Sequence, residues 1–168
     1  MSNDGMSSTE SEKPGPLDGI RVLDLTSVVS GPVCTQHLGD LGADVVKVEP
    51  PMGDFSRLAG GATHAGLNGF FAQYNRNKRS LVLDLKQADA TAILHDLAAS
   101  ADVLVENYRP GVADRMGVGF ESLRERNSKL IYVAISGFGL TGPYADHPAY
   151  DHLIQGLTGF MPVQGEEG

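Results

Sequence analysis

Lys86 and Arg115 are the residues whose type and place point most directly at a ligand. Lys86 follows the apolar run Ser80–Leu85. Arg115 comes shortly after the turn Asn107-Tyr108-Arg109-Pro110-Gly111, which itself ends the run Asp102–Glu106. Arg grips a phosphate through two parallel hydrogen bonds, and Lys meets it as a point charge. Either residue alone reads equally well as a surface charge; as a set they favour a phosphate-bearing ligand. Cys34 stands one turn into a helical stretch, where a helix dipole lowers a thiol pKa. No base is identifiable as its partner, and a packing cysteine is the better reading. Asp146-His147 and Asp151-His152 repeat an Asp-His pair. These histidines are five apart with Pro148 between them, so they point in different directions and make a poor metal pair. His37, His64 and His95 are isolated and read as structural or exposed.

The elements that must position these groups form an alternating α/β chain. Its organising unit is Gly19–Glu49. Ile20, Val22, Leu23 and Leu25 make a strand covered on both faces. Ser30 then reads as an N-cap before Gly31 and the first-turn Pro32. Cys34, Leu38 and Leu41 recur at helical spacing, Gly42 fits a left-handed C-cap, and Val45, Val46 and Val48 form the second strand. The two strands should be parallel, with a right-handed crossover. Ligands bind at the carboxyl ends of such strands, which is where Thr26–Ser30 lies, beside the positive end of the helix.

Pro50–Gly69 reads as a long functional or mobile loop, followed by a short packed segment at Phe70, Phe71 and Tyr74. Ser80–Leu85 is a third strand, Gln87–Ser100 a helix, and Asp102–Glu106 a fourth strand. Val112–Met116 and Phe120–Arg126 are short helices, the second with Phe120 and Leu123 inward. Lys129–Ser136 is a fifth strand, and Tyr150–Phe160 a helix weakened by its glycines. The expected fold is therefore an open, mainly parallel, Rossmann-like sheet with flanking helices. Where a dinucleotide fold needs GxGxxG, the chain has Thr26-Ser27-Val28-Val29-Ser30-Gly31-Pro32, and no GxxxxGK occurs. That disfavours nicotinamide and ATP chemistry.

The 168 residues suffice for one domain with a core, and residues 1–15 read as a disordered polar tail. No apolar run reaches the roughly 18 residues that cross a membrane, and no signal peptide opens the chain, so a cytoplasmic place is expected. One cysteine allows no internal disulfide. The net charge of −8 argues against a nucleic acid partner. Yet nine of the 13 Lys and Arg residues fall between Arg76 and Lys129, against eight of the 21 acids. A locally basic surface on an acidic chain suits a small anion.

Four blocks in consistent order carry a resemblance. PLDGIRVLDLTSVVSGPVCTQHLGDLGADVVKVEPP, NRNKRSLVLDLK, ADVLVENYRPGVADRMGVGFESL and KLIYVAISGFGLTGPYADHPAYDHLIQGLTG resemble the N-terminal part of the family III CoA-transferases. This is the carnitine and formyl-CoA:oxalate type, which includes the α-methylacyl-CoA racemases. The resemblance implies that residues 16–168 are a CoA-binding portion of a larger domain. Coenzyme A, as an acyl-CoA substrate, would touch Val29 and Ser30. Leu83, Asp84, Leu85 and Lys86 would border its adenosine end. Asn107, Tyr108, Arg109 and Arg115 would line its phosphate and pantetheine path, and His147, Pro148, Ala149 and Tyr150 would close one side. Some members place a basic residue after the second strand's glutamate; here it is Pro50, so that contact is not expected.

The family's nucleophile is an aspartate, which attacks the thioester carbonyl, gives a mixed anhydride and releases CoA thiolate. A new thioester then forms with a carboxylic acid acceptor. The resemblance places that aspartate after Gly168, so the chain reads as a fragment without its own catalytic residue. Within this reading, acyl-CoA:carboxylate CoA-transfer is the first expectation. A racemase would carry histidine where Tyr150 stands, and a phenol is a poor base near neutral pH. Val29 in place of glutamine, and the absence of tryptophan, disfavour oxalate as acceptor. A non-catalytic CoA-binding remnant is the further alternative. Family members form interlocked homodimers, and no metal or nicotinamide is implied.

Overall fold

A computed structural model of the chain describes residues 14–59, 63–64 and 67–165. The polar tail expected over residues 1–15 lies almost wholly outside the described residues.

The first strand, β1 (Arg21–Asp24), leads through helix α1 (Ser30–Asp40) into β2 (Asp44–Glu49). β1 and β2 pair in parallel, with Val22 opposite Val45 and Leu23 opposite Val46. α1 has Val29, not Ser30, at its N-cap, and no side chain caps it. Gly31 seats the helix against the loop instead. Its far end does follow the sequence reading: Gly42 is left-handed at φ +102°, and Gly42 and Ala43 N–H bond back to Gly39 and Leu38 carbonyls.

The stretch read as one long loop holds structure of its own. A 3-10 turn spans Phe55–Arg57, and β3 (Thr63–His64) pairs antiparallel with β4 (Leu67–Asn68). Helix α2 (Gly69–Asn75) follows, capped by Asn68, whose side chain accepts from Phe71 N–H at 2.7 Å. The next strand, β5, runs Lys78–Val82, earlier than the expected Ser80–Leu85. Lys78 and Arg79 pair with Val45 and Val46, so the charged residues themselves are strand. Leu83 adds one last bond to Glu49 O before the chain turns at Asp84.

Helix α3 (Ala88–Ala98), β6 (Val103–Glu106), the short helices α4 (Val112–Arg115) and α5 (Phe120–Arg124), and β7 (Ile131–Ala134) complete the expected alternation. Leu123 is buried, but Phe120 is 42% exposed, lying edge-on to Tyr132 rather than in the core. The expected helix over Tyr150–Phe160 divides into α6 (Asp151–Leu157) and α7 (Phe160–Gln164), because Gly159 between them is left-handed at φ +72°.

The five long strands form one parallel sheet in the order β5-β2-β1-β6-β7. Alternate side chains feed two cores, as strand geometry requires. Leu23, Leu25, Val48 and Leu104 join Leu94, Ala98, Val118 and Leu123 on the face covered by α3, α4 and α5. Val22, Val45 and Val105 face the other way, toward Cys34 and Leu38 of α1. Cys34 is thus a packing residue. The chain leaves β1 toward β2 on one side, whereas β6 and β7 lie on the other, so the carboxyl ends of β1 and β6 flank the topological switch point where open α/β sheets bind ligands.

Candidate functional site

Between β1 and α1, side chains hold the backbone of Thr26–Val28. Three successive N–H groups donate to three acceptors: Thr26 to Asp24 Oδ1 at 2.9 Å, Ser27 to Asn107 Oδ1 at 2.9 Å, and Val28 to Asp54 Oδ1 at 3.3 Å. Thr26 O accepts from Lys47 Nζ at 2.8 Å, and Ser27 O from Asn107 Nδ2 at 2.9 Å. Within this clamp Val28 stands at φ +71°. For a β-branched residue that left-handed conformation costs about 1–3 kcal/mol, so it persists only where its surroundings over-determine it.

Beneath the loop lie two buried ion pairs. Lys47 Nζ meets Asp54 Oδ2 at 2.8 Å, both side chains 1% exposed. That oxygen has no hydrogen-bond partner of good angle, so the ion pair is what satisfies it. Lys78 Nζ meets Asp24 Oδ2 at 2.9 Å, Pro32 O at 2.9 Å and Asn75 Oδ1 at 3.0 Å. Asp24 also accepts from the hydroxyls of Thr35, at 2.7 Å, and Thr26. Glu49 takes Arg57 through Nε and Nη2, both at 2.7 Å, together with Ser80 Oγ at 2.7 Å and Asp54 N–H at 3.0 Å. Arg57 Cζ lies 3.6 Å from the centre of the Phe71 ring, which places the guanidinium against α2.

Charge states follow from these contacts. Burial works against ionised Glu49, but the bonds from Arg57, Ser80 and Asp54 N–H outweigh it and hold the carboxyl at about 2. Burial likewise opposes ionised Asp54, and Lys47 and Ser56 overcome it, so its pKa is lowered. Lys78 is pushed down by burial despite Asp24. Glu106 is pushed up by burial and then by the charge of Asp114; its one backbone donor, Tyr108 N–H at 2.7 Å, does not offset this. Burial also raises the Tyr108 phenol to about 12, so it stays a neutral wall residue.

Two cavities open along this edge and share Ser27 and Tyr108. The smaller, about 330 Å³, is lined by Leu83, Asp84, Leu85 and Lys86 together with Leu25, Val48, Met52 and Phe55. The larger, about 970 Å³, brings together Val29, Ser30, Asn107, Tyr108, Arg109, His147, Pro148, Ala149 and Tyr150. Thirteen of the fourteen candidate residues thus line one cavity or the other. Arg115 lines neither; it is exposed on α4, with Nη1 against Gly111. His147 is braced by its own loop, its N–H bonding Tyr144 O at 2.9 Å and its ring edge-on to Tyr144 at 5.1 Å. Tyr150 stacks on His152 with the rings 5.9 Å apart. Among the described residues, no group of three or more His, Cys, Asp or Glu side chains could hold a metal ion.

Lys47, Glu49, Asp54 and Arg57 were not among the candidate residues. A signal did exist: Lys47 interrupts the apolar run Val45–Val48 of a strand that is covered on both faces, Glu49 ends it, and a buried charge demands a partner.

The family model described as CoA-transferase family III matches residues 17–168. The chain belongs to this family. The acetyl-CoA:oxalate CoA-transferase of Acetobacter aceti is 47% identical to it over 163 residues, 95% of this chain and 41% of that protein. The succinate–glutarate CoA-transferase of Agrobacterium fabrum is 45% identical over 168 residues, covering 96% of this chain and 42% of that protein. The crystal structure of a CAIB/BAIF family protein from Brucella suis superposes with a TM-score of 0.88 at 42% identity, covering 92% of this chain and 42% of that one. This family III chain therefore spans about two fifths of the relatives it matches. The four sequence blocks point to the same family. The expectation against oxalate gains no support from these names, since the 47% identical relative is itself named for oxalate.

Proposed function

We propose that this family III chain is the CoA-binding portion of an acyl-CoA:carboxylate CoA-transferase. One observation carries the reading. The clamped Thr26–Val28 loop stands at the switch point as a shared wall of two adjoining cavities, with Lys86 on the rim of one and Arg109 on the rim of the other. A mainly apolar slot with a cation at its mouth suits the adenosine end of coenzyme A, the cation meeting its phosphates. The longer cavity suits the pantetheine arm and the thioester. Val29, Ser30 and Asn107 would line the arm, with His147–Tyr150 on the far side and Arg115 reaching the phosphates from α4.

On this reading the residues described here hold CoA while an aspartate outside them attacks the thioester and a carboxylic acid acceptor then takes the CoA. The protein would work in the cytoplasm as an interlocked homodimer; the exposed Leu157, Phe160 and Val163 of α6 and α7 are suited to such an interface. Among the described residues, no helix is long and apolar enough to cross a membrane. Titrating CoA while following hydrogen exchange tests the site. Slowed exchange around Ser30, Lys86 and Arg115 is expected, and no change there ends the reading.

One observation favours a second reading, CoA binding without catalysis by these residues alone. The carboxylates on the cavity walls are already engaged: Glu49 by Arg57, Asp54 by Lys47, Asp84 by Lys86 N–H and Asp151 by Gln155. Transfer of CoA from a thioester to a dicarboxylate by the 168 residues alone would exclude it. Proton exchange alpha to the thioester without transfer would favour the racemase-like alternative.

A further inference from the structure

The Lys47 and Asp54 side chains are 1% exposed; the loop above separates them from the larger cavity, and Asp54 lines the floor of the smaller one. A buried ion pair is seldom retained for stability, because well-packed apolar residues serve about as well. This pair is distinguished by what else it bonds. Lys47 Nζ donates to Thr26 O as well as to Asp54 Oδ2. Asp54 turns its other oxygen to Val28 N–H, and the same oxygen caps the Phe55–Arg57 turn through Ser56. The pair therefore grips the loop at two residues, one on each side of Ser27. Between the grip and the cavity stands Val28 in a conformation that a β-branched residue leaves when released. Relaxation of Val28 would rotate the backbone entering α1 and swing Val29 and Ser30 away from the cavity they line.

We propose that Lys47 and Asp54 are positioning residues, which keep Val28 left-handed from beneath and so aim Val29 and Ser30 at the ligand. The identity of that ligand rests on the CoA reading; the mechanical role does not.

The test compares the 168-residue chain with Asp54→Ala, alone and combined with Val28→Gly, since glycine takes a positive φ without strain. Hydrogen exchange at Val28, Val29 and Ser30 reports the loop, exchange at Leu23 and Leu104 reports the core, and calorimetry with CoA reports affinity. Asp54→Ala is expected to speed loop exchange roughly tenfold beyond any change in the core. It is expected to weaken CoA binding about tenfold as preorganisation is lost. Adding Val28→Gly should restore at least half of that loss on a logarithmic scale. A residue that only supported the fold would lower core and loop protection together, and glycine would not help. Either that pattern, or an equal loss of affinity with and without Val28→Gly, overturns the proposal. If Asp54→Ala does not fold, Lys47→Met is compared in the same way, because it removes the bond to Thr26 O. An unmodified chain that binds no CoA defeats the functional reading, while the exchange comparison still decides the positioning role.

Discussion

Asn107 and Ser27, 80 residues apart in the chain, exchange two hydrogen bonds of 2.9 Å, Ser27 N–H to Asn107 Oδ1 and Asn107 Nδ2 to Ser27 O. One side chain after β6 thereby imitates a strand pairing and ties together the two loops that flank the switch point. Asn107→Ala leaves both backbone groups of Ser27 partnerless and is expected to cost about 1–3 kcal/mol in urea unfolding. Asn107→Asp keeps the acceptor but loses the donor, and should fall between. A stability equal to that of the unmodified chain would mean that water replaces the clamp.

Gly31 closes the same junction from the helix side. A Cβ there would lie 2.3 Å from Thr26 Cβ and Cγ2, and Thr26 cannot yield because Asp24 and Lys47 hold it. Gly31→Ala is therefore expected to destabilise by about 1–3 kcal/mol, although alanine usually favours a helix. Thermal unfolding checks the sign.

Lys86, Arg109 and Arg115 are exposed, and none forms a salt bridge among the described residues. Alanine at each should leave stability within about 0.5 kcal/mol. If they meet phosphates, each substitution weakens CoA binding by about 1.5–3 kcal/mol. Calorimetry at two salt concentrations should also show a shallower salt dependence for each variant.

Glu106 is buried near Asp114, and burial followed by that charge raises its pKa. The folded chain thus keeps a proton that the unfolded chain releases as pH rises past the ordinary value, so this group lowers stability with rising pH. Glu106→Gln removes the penalty and still accepts from Tyr108 N–H. A higher unfolding midpoint at pH 7, with the gain vanishing in acid, is the expected result.

Glu49 works in the opposite sense. Its pKa of about 2 lies below the ordinary 4.5, so its stabilisation is present above 4.5 and is lost as pH falls from there toward 2. Glu49→Gln should flatten the acid limb of the stability profile over that window. Asp54, also lowered, adds to the same limb.

Much of the fold was legible in the chain because the signals are local. The apolar runs Val22–Leu25 and Val45–Val48, the left-handed Gly42 and the helical spacing around Leu94 each depend on neighbouring residues. Together they imply five strands joined by crossovers, and the parallel sheet follows from that order. Of the two cations read from their place after a strand, Lys86 lines a cavity at the sheet's carboxyl edge, whereas Arg115 lines neither cavity. Where β5 begins was not legible, because Lys78 and Arg79 are strand residues only through their pairing with β2. Nor was the clamp. Asn107, Asp54, Lys47 and Asp24 converge on three consecutive residues of the β1–α1 loop from four places in the chain. Only packing brings those groups within hydrogen-bond distance, and only there does the cost of burying their charges become a means of holding Val28 in place.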